Sequence, residues 1–136
     1  MTAKNYRLKV ITFSLGATNF ECQVKTWKMT NKTPTGAQMY TFCSSGVFRE
    51  QTTADWELDI TFFSDWTSGG ISDFLYTNDQ TDALFQLDHH PDITGEHVRW
   101  SGTCRVVAPD VGGAYGDTEE STVTLGIFGV PVYARI

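Results

Sequence analysis

The sequence predicts a mainly β protein: an antiparallel β-sandwich or barrel-like subunit with one short α-helix at about residues 71–79. Three observations predict it. The 136 residues include 9 Phe, 5 Tyr and 4 Trp, and aromatic and β-branched side chains fit a pleated, half-buried surface. Strict alternation recurs, with Trp56, Leu58, Ile60 and Phe62 interleaved by Asp55, Glu57, Asp59 and Thr61, which is the period of a strand with one buried face. Glycine, proline and short polar clusters then punctuate the chain at short intervals, as turns do. The length suits one domain, 1–136, able to bury a core without staples.

Taken in order, YRLKVITF (6–13) and FECQVKTWKM (20–29) read as strands flanking the turn SLGATN. The loop TNKTPTGA (30–37) is broken by Pro34 and Gly36, and QMYTFCSS (38–45) reads as the next strand. DWELDITFF (55–63) follows, then the turn SDWTSGG. In ISDFLYTND (71–79), Ile71, Phe74 and Leu75 have the spacing of one apolar helical stripe, with Ser68 a candidate N-cap. A helix this short is marginal alone, so it must lie on the sheet. ALFQL (83–87), HVRWSGTCRVVA (97–108) and the segment 121–130 complete about seven strands. Trp27 and Phe128 sit opposite the best apolar face of their strands, which leaves apolar surface for partner chains.

A net charge of −6 and a pI near 4.8 count against a protein that grips nucleic acid, because affinity for phosphates comes from Lys and Arg. They do not count against a surface that nucleic acid slides past. Cys22, Cys43 and Cys104 are odd in number, widely spaced and never in a C-x-x-C pair. Buried thiols in a reducing compartment are expected, with neither zinc nor disulfides. TAKNYRLKV at the start lacks an apolar leader core, and no run approaches a membrane span. Synthesis in a cytoplasm and no membrane partner are therefore expected.

Candidate chemistry is sparse. DVGGAYGDTEES (110–121) is glycine-rich, yet it leads into Asp117, Glu119 and Glu120 with no Lys or Arg before Arg135. A phosphate cradle needs donors and usually a lysine, so this loop is read as a turn between strands. LDHHPD (87–92) offers Asp88, His89, His90 and Asp92 as metal ligands, with His97 a possible third imidazole. Neighbouring side chains on an extended chain point to opposite sides, which makes His89 and His90 poor co-ligands. No G-x-S-x-G elbow or cysteine-protease signature is present, and Cys104 falls on the apolar side with Trp100 and Val106. Asp55, Glu57 and Asp59 form an acidic row on one strand face with nothing local to compensate them. That row is either a solvated face or a wall kept negative so that passing DNA is not held.

From about residue 54 to 131 the chain resembles the major tail tube proteins of long-tailed, siphovirus-type bacteriophages. The order of segments carries the resemblance: ADWELDITFFSDWTSGGISDFLYTND, then VRWSGTCRVVAPDVGGAYGDTEESTVTLGIFGVP. Residues 20–43 fit the pattern more loosely. The resemblance implies a structural subunit that forms hexameric rings, stacked into a conduit for DNA ejection. It implies no catalytic residue, cofactor or metal. Its implied partners are further copies of itself, other tail proteins at the tube ends and genomic DNA passing without tight binding, within a virion tail made in a host bacterial cytoplasm.

On this reading Asp55, Glu57 and Asp59 are candidate lumen-facing residues. The segments 30–37 and 44–54 are too irregular to pair within the sheet, and loops of this length usually bind something. Phe48 and Arg49 are the candidate inter-ring contacts, an apolar anchor and a cation for an acid on the next ring. Two other classes compete. A carbohydrate-binding β-sandwich would stack sugars on Trp66 or Trp100, and a metal-dependent hydrolase would use LDHHPD. A bacterial type VI secretion tube protein shares the implied architecture.

Overall fold

The computed structural model describes residues 2–136. One antiparallel sheet dominates, built from β1 (Ile11–Leu15), β2 (Thr18–Asn19), β3 (Val24–Asn31), β6 (Trp56–Phe63), β7 (Asp82–His89), β8 (Val98–Arg105), β9 (Glu120–Ile127) and β10 (Val132–Arg135). Its order is β2-β1-β7-β8-β9-β6-β3, with β10 also on β8. β8 meets β7 along its full length, β10 from Val98 to Ser101, and β9 only where Cys104 faces Ile127. A two-stranded ribbon of β4 (Gln38–Met39) and β5 (Phe48–Arg49) stands apart.

Alternation along the strands becomes burial. Leu58, Ile60 and Phe62 of β6 and Val123, Leu125 and Ile127 of β9 point inward, joined by Phe13, Leu15, Phe85, Leu87, Cys104 and Val106. Burying each large aliphatic or aromatic side chain stabilises the fold by about 1.5–3 kcal/mol. The sheet rolls around this core until the Trp27 ring of β3 meets His89 of β7 edge-on, 5.5 Å between centroids. No ladder joins β3 to β1 or β2 among the described residues, so the roll does not close into a barrel. Leu8 and Ile11 face Val24 and Trp27 across that open seam. Trp27 therefore packs against the core with Met29, contrary to its expected outward position. Phe128 is outward as expected, with the Arg105 guanidinium 5.6 Å above its ring.

The helix α1 (Ile71–Thr77) ends two residues before the predicted boundary. Ile71 and Leu75 are fully buried, and Phe74 packs on Phe20 at 5.5 Å. Gly70, not Ser68, is the N-cap, with no side-chain cap bond. The buried Ser72 hydroxyl instead accepts the Asp65 N–H at 3.1 Å, tying the helix to the end of β6. Gly16 has φ +60°, and a Cβ there would press on the Phe74 ring.

Several boundaries move. Residues 6–10 form no ladder, and the first strand starts at Ile11. Of 38–45 only Gln38 and Met39 are strand. β7 runs on through Asp88 and His89, beyond the expected end at Leu87. The expectation of three buried thiols fails for two, since Cys22 and Cys43 are exposed and only Cys104 is buried.

Candidate assembly interface

Residues 32–55 leave the sheet as an arm that prolongs the β3–β6 hairpin. At its base the Lys32 N–H donates to the Asp55 carbonyl at 2.6 Å, and the Asp55 N–H to the Thr33 hydroxyl at 2.9 Å. Further out, the Thr52 hydroxyl donates to the Pro34 carbonyl at 2.7 Å and the Glu50 N–H to the Ala37 carbonyl at 3.0 Å. Gln38 then faces Arg49, and Met39 faces Phe48. The two segments expected to be irregular thus pair with each other, outside the main sheet. Gly36 permits this approach, because a Cβ there would overlap the Glu50 carbonyl. No core lies under the ribbon: Met39, Tyr40, Phe42, Val47 and Phe48 are all exposed, Phe48 by 56%. Arg49 meets no carboxylate among the described residues, and its Nη1 donates to the Gly36 carbonyl at 3.0 Å.

The acidic row lies on the outer face of β6, but it is not uncompensated. The neighbouring edge strand β3 sets Lys28 opposite Asp59 and Thr30 opposite Glu57. Just beyond β3, Lys32 Nζ reaches Glu57 at 2.8 Å, a contact that raises the lysine pKa. Asp59 accepts from the Thr124 hydroxyl at 2.6 Å and from Thr30 at 3.4 Å. Asp55 sits just before the strand, exposed at the arm base. Farther along, Thr61 and Thr122 bond at 2.9 Å, and Lys25 pairs with Glu120 at 3.2 Å. The result is a short-chained, hydroxyl-rich face of mixed charge, because cross-strand neighbours far apart in sequence supply the lysines.

In LDHHPD, Asp88 and His89 are engaged within the subunit, while Asp92 is exposed. Asp88 is buried on the outer face between Thr12 and Arg99. Arg99 Nε and Nη2 donate to its two oxygens at 2.8 and 3.1 Å, and His97 Nε2 lies 3.1 Å from Oδ2. Hydrogen bonds from Arg99 hold its carboxyl below the usual range, against the opposing effect of burial. His89 turns inward to Trp27, and burial pushes its pKa down. His90 has φ +54°, which leaves the strand conformation and stacks its ring on His89 at 4.3 Å. The expected opposite orientation of the two imidazoles is thus wrong. Among the described residues no group of three or more His, Cys, Asp or Glu is placed to hold a metal.

The tryptophans considered for sugar stacking differ. Trp100 leans on Tyr133 at 5.0 Å and lines an apolar groove of about 380 Å³ with Leu8, Trp27, Met29, Trp56 and His89. Trp66 is 41% exposed, its Nε1 donating to Glu119 at 3.3 Å.

No family model and no curated protein matches the sequence. Among solved structures, the chain is similar to one from the tail of an empty GTA particle, determined by helical refinement in C6 symmetry. The TM-score is 0.62, and the likeness covers 98% of this chain and 100% of the other. The two share a fold. Their sequences are 10% identical, so the likeness speaks for architecture alone.

Sequence reasoning named Phe48 and Arg49 as contact candidates but missed the ribbon on which they lie, β10, and the Asp88–Arg99 pair. The pair had a faint signal: Asp88 and Arg99 stand equidistant from the turn between two adjacent antiparallel strands. β10 is short, follows Pro131 and lacks alternation long enough to read.

Proposed function

We propose that this chain is the tail tube subunit of a siphovirus-type, long-tailed phage or phage-like particle. Six copies form a ring, rings stack, and the tube is a conduit for DNA ejection. One observation carries the reading: a full-length fold likeness to a tail chain from a particle with C6 symmetry. Three features support it. The arm exposes apolar side chains with no core beneath them. Both sheet edges, β2 and β3, keep unpaired backbone groups that another copy can use. The outer face of β6 and β9 is rich in short hydroxyl and carboxylate side chains and carries no arginine.

In this reading Asp55, Glu57 and Asp59 line or border the lumen, where their lysine partners moderate the charge. Phe48 and Arg49 contact the next ring. The subunit is made in the host bacterial cytoplasm, ends in the virion tail, meets other tail proteins at the tube ends and performs no catalysis. Negative-stain microscopy of the purified chain over rising concentration, with and without a tail initiator complex, tests it. Rings or tubes are expected. A monomer under every condition, together with virion tails that lack the chain, refutes it.

A further inference from the structure

We propose that the arm of one copy docks in an acidic groove at the opposite end of the next copy, with Arg49 meeting Glu119. This rests on the tube reading above and names the contact that links one copy to the next. The groove is shallow and apolar, about 530 Å³, lined by Trp66, Tyr76, Val111, Gly112 and Glu119. Tyr76 and Val111 are 63% and 71% exposed, which leaves apolar surface for a partner to cover.

Charge names the occupant. The two segments that build the groove, 64–79 and 108–120, contain no Lys or Arg. They carry Asp65, Asp73, Asp79, Asp110, Asp117, Glu119 and Glu120, of which Glu120 is paired with Lys25 of β3 at 3.2 Å. Asp65, next to Trp66 in the chain, accepts from the Thr67 hydroxyl and N–H, which lowers its pKa. Glu119 uses one carboxylate oxygen on Trp66 Nε1 and thereby fixes the indole in the groove wall. The matching ligand is an aromatic or aliphatic side chain next to a cation without a carboxylate partner. The arm presents that combination as Val47 and Arg49, two apart and so on one side of the chain, both exposed, while Phe48 is exposed on the other face of the ribbon, whose backbone bonds are already made.

Geometry makes the contact intermolecular. The arm leaves the sheet at Trp56, where β6 begins and Ile127 ends β9. The groove begins beyond Phe63, where β6 ends and Ser64 N–H bonds the Glu119 carbonyl. The eight residues of β6 separate the two by roughly 25 Å. The arm prolongs β3 and β6 away from that end, so it cannot reach its own groove. Knob and socket at opposite poles make a head-to-tail contact, the kind that continues from ring to ring along a tube when the rotation between copies does not close.

Charge exchange tests this. Arg49→Glu should leave the circular dichroism and melting of the subunit unchanged, and Glu119→Arg, which also loses the bond to Trp66, should keep the circular dichroism of the folded subunit. Each should raise the critical concentration for assembly, read by sedimentation and microscopy, at least about tenfold, because like charges then face each other at the contact. The double variant, and an equimolar mixture of the two single variants, should assemble at lower concentration than either single variant alone. Tyr76→Glu, on the exposed helix face, should impair assembly in the same direction and replaces Glu119→Arg if that variant misfolds. Single variants that assemble like the unaltered chain overturn the docking and leave the tube reading standing. Rescue by the double variant without rescue by the mixture overturns its intermolecular character. An unaltered chain that never assembles overturns both.

Discussion

Replacing Phe48 by Ala separates folding from assembly, and the structure sets the size of each effect. Phe48 keeps 56% of its surface exposed, against 0% for Leu58 in the core. Full burial of a phenylalanine contributes about 1.5–3 kcal/mol, so the part already buried in the subunit contributes about 1 kcal/mol. The exposed part offers a partner about 0.8–1.7 kcal/mol more, roughly 4–20-fold in the critical concentration per arm. Leu58→Ala is the control: it leaves a cavity under β6 and should cost about 2–5 kcal/mol of folding stability. Urea unfolding followed by tryptophan fluorescence reads the first quantity, and sedimentation at rising protein concentration reads the second. Phe48→Ala should unfold near the unaltered midpoint yet assemble poorly. A Phe48→Ala subunit destabilised as much as Leu58→Ala would place this side chain in the subunit's own core. Unchanged assembly would remove Phe48 from any contact between copies.

Three further outcomes are expected. Thiol labelling of the native protein at pH 8 should modify Cys43 first, its pKa lowered by the Ser45 hydroxyl, then Cys22. Cys104, pushed up to about 12 from 9.0 by burial, holds roughly a thousandfold less thiolate and should react only on unfolding; three equal rates would contradict the fold. Asp88→Asn should lower stability at pH 7 by about 2 kcal/mol, an estimate reduced because Arg99 is partly in water. The native carboxyl is depressed, so its contribution is present above the ordinary carboxylate range and lost as pH falls through the depressed value. The gap between the two proteins should therefore close on acidification from pH 5 to pH 2, and a gap that is absent at pH 7 or constant with pH refutes the assignment. Lysines in place of Asp55, Glu57 and Asp59 should slow DNA ejection from particles, most strongly at low salt. They also set like charges against Lys28 and Lys32, so Asp55→Asn, Glu57→Gln and Asp59→Asn provide the milder comparison, and ejection indifferent to both sets at every salt concentration excludes a lumen role.

The sequence by itself determined what depends on neighbours along the chain. The inward faces of β6 and β9 were readable because side chains two apart share a face, and Leu58, Ile60, Phe62, Val123 and Leu125 follow that period into the core. The helix was readable from Ile71, Phe74 and Leu75. The turn nature of 110–119 was readable from its glycines, two of which, Gly112 and Gly116, adopt positive φ. Tertiary structure alone decided what depends on residues brought together from afar. Trp27 turned inward because the sheet rolls, with a register shift between Val24 and Thr26. The acidic row acquired lysine neighbours because β3 is the strand beside β6. Asp88 left the metal-ligand candidates because β8 set Arg99 opposite it. The arm and the groove came to opposite poles because β6, eight residues long, runs between them. Strand order and register are set by burying every apolar face at once, and no local stretch of sequence carries that sum.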